Sequence, residues 1–524
     1  MSAVPFLTKR GTILYPLLVL GGTSTCVFLG LYLWDFFALH QTGNPISKLF
    51  EFDIDTLQNT IGSMAQTIAA VLGIVITVVS IVVQLAATRY TPRIADMFFR
   101  DRTTLAVLGF FVVVCINAVW VSIALEKNFL PRVSIIFTMI TVTGSLLIMV
   151  PYFAYVFDFL DPDRVVERIQ REAVAAAIGE RRRGEKTSAD LQRSALSSVE
   201  QLSDISVNAV SQKDKAIASG TVDALRDLLV TYLAKKRHIP AEWFAIGPDL
   251  RRNPDFVALA QPTVDDITEK RLWLEWKALR QYQTIYNEAL GDMPDINYLI
   301  AINTRYIGEA ALEANEPEAL AMAIKFFNTY LRATLNKGDI RTAYNVLHQY
   351  RQLVERAITK GEDKLVAATA QYFKYYGQVA HSKVLSFVTE TVGYDLATLC
   401  ERAFEAKSAA HDRILDHLLE LDREAESQQQ ETMLRGVRRA QAKLASFYLF
   451  HDAEPYARRI FDDMKNESAE RLRSIRKDLF VVTSRDFWEV SDRGTNFDYM
   501  DPPQKEKLKI FFSWFPNLAP LPSE

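Results

Sequence analysis

The sequence predicts an all-α polytopic membrane protein: a four-helix transmembrane module followed by an irregular helical-repeat or helical-bundle cytoplasmic domain. Three observations predict it. Four apolar runs, 13–33, 64–87, 105–125 and 133–157, contain no charged residue, and each is long enough to cross a ~30 Å hydrocarbon core as a helix. The charge is partitioned, with 17 charged residues among the first 160 against 106 among the remaining 364. Beyond residue 160, apolar residues recur at helical spacing and β-type alternation is nearly absent. The mean hydropathy of +0.01 is therefore the average of two materials.

Composition excludes several classes. With 49% hydrophobic residues the chain is not disordered, and with 3 Cys it is not a disulfide scaffold. Cys26 and Cys115 lie inside apolar runs, Cys400 lies beyond them, and no CxxC pair suggests zinc. A net charge of −3 gives no reason to expect nucleic acid.

Orientation follows from Lys and Arg placement. Lys9 and Arg10 precede the first run. Only Lys48 follows it, among Asp35, Glu51, Asp53 and Asp55. Arg89, Arg93, Arg100 and Arg102 follow the second run, Lys127 and Arg132 the third, and Arg164, Arg168, Arg171 and Arg181–Arg183 the fourth. Both termini read as cytoplasmic. The first run lacks a good processing site at Thr23–Cys26, so it reads as a span rather than a cleaved signal. Gly11, Pro16, Gly21, Gly22 and Gly30 leave a broken or re-entrant first helix as the alternative. On the outer side, Ile46, Leu49, Phe50, Ile54, Leu57 and Ile61 fall on helical spacing, and Asp55–Gln58 resembles a capping box. This predicts a short surface helix leading into the second span.

The second span carries a polar seam. Ser63, Gln66, Ala70, Gly73, Thr77, Ser80, Gln84 and Ala87 recur at alternating steps of 3 and 4, which places them on one stripe of a helix. Two readings are open. Small and polar residues allow close helix packing, and an uncharged polar stripe also suits the lining of a conduction path. Asn117 in the third span, and Thr138, Thr141, Thr143 and Ser145 in the fourth, add uncharged polar groups. Pro151 is expected to kink or end the fourth helix. No ionisable residue lies deep in any span, which argues against proton relays, voltage sensors and many ion-coupled carriers.

Between the second and third runs the chain reads Gln84 to Arg93, ending Tyr-Thr-Pro-Arg, then Phe99-Arg100-Asp101-Arg102, then Leu105–Phe111. Here it resembles a widespread bacterial family of predicted four-span membrane proteins catalogued as a domain of unknown function, mainly over residues 1–170. The resemblance implies a bacterial inner-membrane protein and supplies no catalytic residue. Physically, Arg89, Arg93, Arg100 and Arg102 can grip anionic lipid headgroups at the inner leaflet, or serve only to set topology.

Residues 161–178 continue as a charged amphipathic helix, and Gly179–Ala189 reads as an exposed linker. Turn signals at Asn315–Pro317, Lys337–Asp339 and Lys360–Asp363 are spaced as helix plus turn. Between them, Leu320, Ala323, Ile324, Phe327 and Leu331 form one apolar face, and Ala343, Val346, Leu347, Tyr350 and Leu353 the next. Residues 442–464 resemble half-patterns of tetratricopeptide-type repeats without their strict period. Such domains present surfaces to partners. In the last segment, 501–524, Lys505, Lys507 and Lys509 mix with Phe511, Phe512, Trp514 and Phe515. This suits a membrane-interface anchor, or docking on the cytoplasmic domain.

No Walker loop, HExxH, GxSxG, kinase set or dinucleotide fingerprint occurs, so the reading is a non-enzyme without a cofactor. His411 and His417 are six apart and do not stack on one helix face. Trp273 and Trp276 read as core. The functional expectation is a homo-oligomeric protein of the lipid bilayer whose cytoplasmic domain binds, senses or assembles a protein partner. The alternative is a channel-like oligomer with the second helix lining a passive path.

Overall fold

A computed structural model of the chain describes residues 7–39, 54–89, 92–126, 130–179, 187–421, 428–487 and 492–518, and among these it contains helices and no β-strand. The chain divides into two units, 1–165 and 166–524.

The first unit holds α1 (Leu7–Ala38), α2 (Ile54–Arg89), the short α3 (Pro92–Phe99), α4 (Arg102–Ala124) and α5 (Arg132–Phe159). Helix α1 runs continuously through Pro16 and the paired glycines at 21 and 22. Three stretches, Asp55–Thr88, Arg102–Ala124 and Arg132–Phe159, are long and apolar enough to cross a membrane. The expected surface helix falls mostly on residues 46–53, outside the described residues, as do Lys48 and the acids at 51 and 53. Helix α5 does not end at Pro151 but continues to Phe159. Proline removes one donor without ending a helix whose neighbours hold it in place: Tyr152 and Val156, just beyond it, are buried.

Helix α2 packs on α4 and α5, α4 on α5, and α1 on α5. The contact is apolar: Ile68, Val114 and Val142 form one buried cluster, and Leu57, Ile61, Val121, Leu125 and Ile135 another. A polar tie crosses it between α4 and α5, where Asn117 Nδ2 donates to Thr138 Oγ1 at 2.9 Å.

The second unit takes in most of α6 (Pro162–Ala177), then α7 (Ser188–Ser211) and α8 (Lys215–Lys235). After short turns follow α9 (Gln261–Glu269), α10 (Trp273–Ala289), α11 (Pro294–Glu313), α12 (Pro317–Lys337), α13 (Ile340–Thr359) and α14 (Asp363–Ser382). The unit ends with α15 (Ser386–Glu405), α16 (His411–Leu419), α17 (Gln428–Phe450), α18 (Glu454–Met464), α19 (Ala469–Val481) and α20 (Pro502–Ser513). Helix α7 starts inside the predicted linker, because Thr187 and Asp190 close a capping box there; residues 180–186 lie outside the described residues.

Helices α11 to α15 begin 23 residues apart. Each is closed by the same device, a left-handed residue at 315, 338, 361, 384 and 407. The next amide then reaches back five residues, as from Asp339 to the Thr334 carbonyl and from Ser408 to the Ala403 carbonyl. This is a Schellman closure, which satisfies the orphan carbonyls at a helix C-terminus. Each helix packs on the next and on the next but one, so α10, α12, α14 and α16 form one row and α11, α13, α15 and α17 a second.

Residues 492–501 cross the second row. Arg493, 3% exposed, donates to the Asp395 carboxylate at 2.5 Å and to the Tyr344 carbonyl at 2.9 Å. Arg351 approaches the same carboxylate at 3.1 Å. Phe497 stacks on Tyr394 with ring centres 4.8 Å apart, and Arg439 bridges Asp498 and Glu390. Burial, followed by the nearby guanidinium groups of Arg493, Arg351 and Arg305, pushes His348 down to about 3.

Candidate functional site

The polar seam of α2 is the candidate site, and its placement follows from the helix's apolar side. Leu57, Ile61, Ala65, Ile68, Val75, Val79, Val83 and Ala86 are buried. At about 100° per residue they share one side, and it is this side that meets α4 and α5. The seam lies on the other side. Ser63, Gln66, Ala70, Gly73, Thr77, Ser80 and Gln84 are all exposed and Ala87 is half-buried. Among the described residues, the stripe beyond Ser63 is therefore turned away from the helices on which α2 packs. Four apolar neighbours, Ile74, Ile76, Ile81 and Leu85, flank it and are also exposed.

The stripe's polar groups differ in what they still require. Thr77 Oγ1 donates to the Gly73 carbonyl at 2.8 Å, as Thr67 does to the Ser63 carbonyl. The Gln66 and Gln84 carboxamides each carry two N–H donors and an acceptor oxygen, more than one carbonyl of their own helix can fill. Rising about 1.5 Å per residue, these two glutamines stand about 27 Å apart, close to the hydrocarbon thickness. The stretch between them is Ala70, Gly73, Thr77 and Ser80.

Next to the seam, an open cleft of about 670 Å³ separates α2 from α5. Asn59, Thr60, Ser63 and Thr67 line one wall, and Val142, Thr143 and Leu146 the other. The Thr60 and Thr143 hydroxyls already donate to carbonyls one turn back, at 2.7 and 2.8 Å. Gly21 of α1 abuts this wall helix, since a Cβ there would lie 3.1 Å from Leu147.

Of the four arginines, Arg100 and Arg102 are exposed, while the Arg89 and Arg93 side chains lie outside the described residues. Between the exposed pair, Asp101 caps α4, accepting from the Thr103 and Thr104 amides at 2.8 and 3.2 Å. The Tyr155 hydroxyl donates to the same carboxylate at 2.6 Å and ties α4 to α5. Burial works to raise the Asp101 carboxyl, but the hydrogen bonds from Tyr155 and the two amides outweigh it and hold it below the usual value. Its contribution is thus present above the unfolded carboxyl value and is lost as pH falls through the lower folded one. Asp101→Ala is expected to cost about 1–2 kcal/mol, read by thermal melting in detergent. Tyr155→Phe should cost less, because the cap survives.

The C-terminal candidates are placed differently from an anchor. Phe511, Phe512 and Phe515 are at most 3% exposed. Helix α20 packs on α17, and Phe515 meets Phe461 at 4.8 Å. Trp514 lies under the Arg458 guanidinium at 3.6 Å. Lys505 donates to the Phe480 and Val482 carbonyls, at 3.0 and 2.5 Å, Lys509 pairs with Glu506, and Lys507 is half-buried. The aromatic side of this segment is core rather than a lipid-facing anchor, because burying three aromatic rings inside the unit satisfies them more fully than an interface does.

The histidines and tryptophans are also structural. His411 bonds the Tyr448 hydroxyl at 2.7 Å, and burial lowers its basicity. Trp273 is fully buried and donates to the Trp243 carbonyl at 2.8 Å, and Trp276 packs on Phe256. Burial raises the Cys400 thiol, leaving it inert.

Residues 9–201 match the family model described as "Predicted membrane protein (DUF2254)". The DUF2254 segment takes in α1 to α6 and part of α7, and so runs further into the second unit than the resemblance over 1–170 indicated. No curated protein matches the chain. Among solved structures the chain is similar to one described as "Circular tandem repeat protein with novel repeat topology and enhanced subunit contact surfaces", at 15% identity. The TM-score is 0.31, over 65% of this chain and 81% of that one. At that score the likeness says nothing about function. The DUF2254 segment is a predicted membrane protein domain of unknown function, and the seam lies wholly inside it.

Proposed function

We propose that the chain is a four-span protein of the bacterial inner membrane, with both termini cytoplasmic, that associates with copies of itself through α2. In this reading the seams of several α2 helices line a passive path for ions or small solutes. The helices beyond residue 187 form a cytoplasmic helical-repeat domain that gates or recruits partners. No chemical step is assigned to any residue.

One observation supports the reading: the seam of α2 is small or polar from Ser63 to Gln84 and, beyond Ser63 at the cleft, is turned away from the described helices on which α2 packs. Left in lipid, the Gln66 and Gln84 carboxamides would leave polar groups unpartnered at a cost of about 1–3 kcal/mol each, whereas the Thr77 hydroxyl is already bonded within its own helix. Copies of α2 around a common axis remove that cost, by hydrogen bonds between helices or by water in a path. The lack of ionisable groups deep in the spans fits passive conduction better than coupled transport. The regular row of helices supports the domain assignment, since stacked helix pairs build extended binding surfaces.

The experiment is planar-bilayer recording of the purified full chain, with osmotic-shock flux from liposomes as a second readout. Discrete currents or solute release are expected. Silent bilayers together with solute-tight liposomes, from protein shown to be oligomeric, would leave α2 as a packing seam between copies.

A further inference from the structure

Away from the membrane module, α12 and α14 stand out by charge. Residues 319–338 and 364–383 contain Lys325, Arg332, Lys337, Lys364, Lys374 and Lys383 but no acid, in a chain whose net charge is −3. These two helices are neighbours in one row. Between them lies an open cleft of about 510 Å³, lined by Lys325, Asn328, Thr329 and Arg332 on α12 and by Gln371, Tyr372, Tyr375 and Tyr376 on α14. Among the described residues no carboxylate lines it. The Lys374 charge next to it is already taken by Glu420 at 2.7 Å, whereas Lys325 and Arg332 are exposed.

The cleft is organised. Tyr376, 5% exposed, and Arg332 face the cleft from opposite helices. Tyr350 donates to Asn328 Oδ1 at 3.0 Å, which leaves the Asn328 amide N–H groups turned to other acceptors. Tyr372 and Tyr375 are 39% and 46% exposed, side by side on α14, in a domain that buries Tyr282, Tyr286, Tyr330 and Tyr350 completely. Exposed Tyr beside Arg is the composition of binding hot spots.

We propose that this cleft binds an acidic, extended peptide segment of a partner protein. Charge complementarity selects the sign of the partner: cations, amide donors and tyrosine hydroxyls, with no competing carboxylate. The spacing selects its form. Lys325 and Arg332 are two helical turns apart, about 10.5 Å along the axis. A polyproline II segment returns to the same face every three residues, about 9.3 Å, so carboxylates three residues apart meet both cations. The exposed faces of Tyr372 and Tyr375 then pack the intervening apolar side chains. An open cleft along stacked helices suits a polypeptide better than an enclosed small-molecule site.

The test uses the full chain in nanodiscs and a fluorescein-labelled (Glu-Pro-Leu)4 peptide, followed by anisotropy. Saturable binding that weakens with salt is expected, with (Lys-Pro-Leu)4 not binding. The double variant Lys325→Glu/Arg332→Glu should lose about tenfold or more in affinity, and Tyr372→Ala/Tyr375→Ala a comparable factor. All four positions sit at the cleft surface, and unchanged circular dichroism confirms folding. Binding that neither double variant alters would overturn the proposal, as would no binding at all. So would octathymidylate, or phosphatidylglycerol vesicles, binding in a variant-sensitive way where the peptide does not. The outcome is independent of whether α2 conducts.

Discussion

Asp395→Ala will open the second unit far more often than any surface change. Asp395 is 1% exposed and carries both Arg493, 3% exposed, and Arg351. Removing the carboxylate takes this counter-charge from the buried Arg493, while Arg351 keeps its pair with Glu355. Breaking a buried pair from one side costs about 3–5 kcal/mol, because the survivor stays desolvated. Cys400, fully buried on the same helix, reports the opening. In a Cys26→Ser/Cys115→Ala background, thiol labelling of Cys400 should accelerate by roughly 10²–10³-fold or more. Adding Arg493→Ala to Asp395→Ala should recover part of the loss, since one stranded charge is then absent. A labelling rate unchanged by Asp395→Ala would show that the strap at 492–501 contributes nothing to holding the second row together.

The second large effect concerns conduction. Thr77 and Ser80 lie mid-way between Gln66 and Gln84 on the outward side of α2. Thr77→Leu replaces a hydroxyl by a branched apolar group there. In a narrow path this creates a constriction that sheds water, and unitary current should fall by at least about tenfold, which corresponds to roughly 1.4 kcal/mol of added barrier. Gln84→Leu should act in the same direction at the end of α2 nearer α3. Ile81→Leu, an apolar swap on the flank, should leave the current near wild type. Equal currents in all three variants would remove α2 from the conduction path.

Much of the membrane module was legible in the sequence because lipid imposes one strong rule. Backbone groups must be satisfied within the segment, so spans appear as long uncharged helices. The seam was legible for the same reason, from its period of 3 and 4. Its direction was not. The residues from Ser63 to Gln84 do not by themselves say which side of the helix packs, and it is the buried set from Leu57 to Ala86 that puts α4 and α5 on the opposite side. Of the two outcomes expected at Pro151, an end to the helix does not occur, because an interior proline is tolerated where surrounding helices hold the chain in place.

In the second unit the turns at Asn315, Gly338 and Gly361 were legible, since Asn and Gly favour the left-handed region. The matching turns at Val384 and Lys407 were not, although they have the same conformation, with φ of 60° and 53°. A β-branched residue there is strained by about 1–3 kcal/mol and gives no turn signal. With those two turns hidden, the 23-residue spacing was visible only in part. The C-terminal aromatics were ambiguous because an amphipathic pattern looks the same against lipid and against a protein core. The cleft between α12 and α14 had a readable signature that was missed, two acid-free runs with interleaved tyrosines, which becomes meaningful only once the two helices are known to be neighbours.

The central claim is that the polar side of α2 faces another copy of the same chain. Cysteine cross-linking in native membranes tests it most directly, with Cys26, Cys115 and Cys400 replaced. Ser80→Cys and Gly73→Cys should form intermolecular disulfide dimers under mild oxidation, while Val79→Cys, buried against the chain's own helices, should remain monomeric. Monomers at both seam positions, with dimers forming only from flanking Ile74→Cys or Leu85→Cys, would contradict the account.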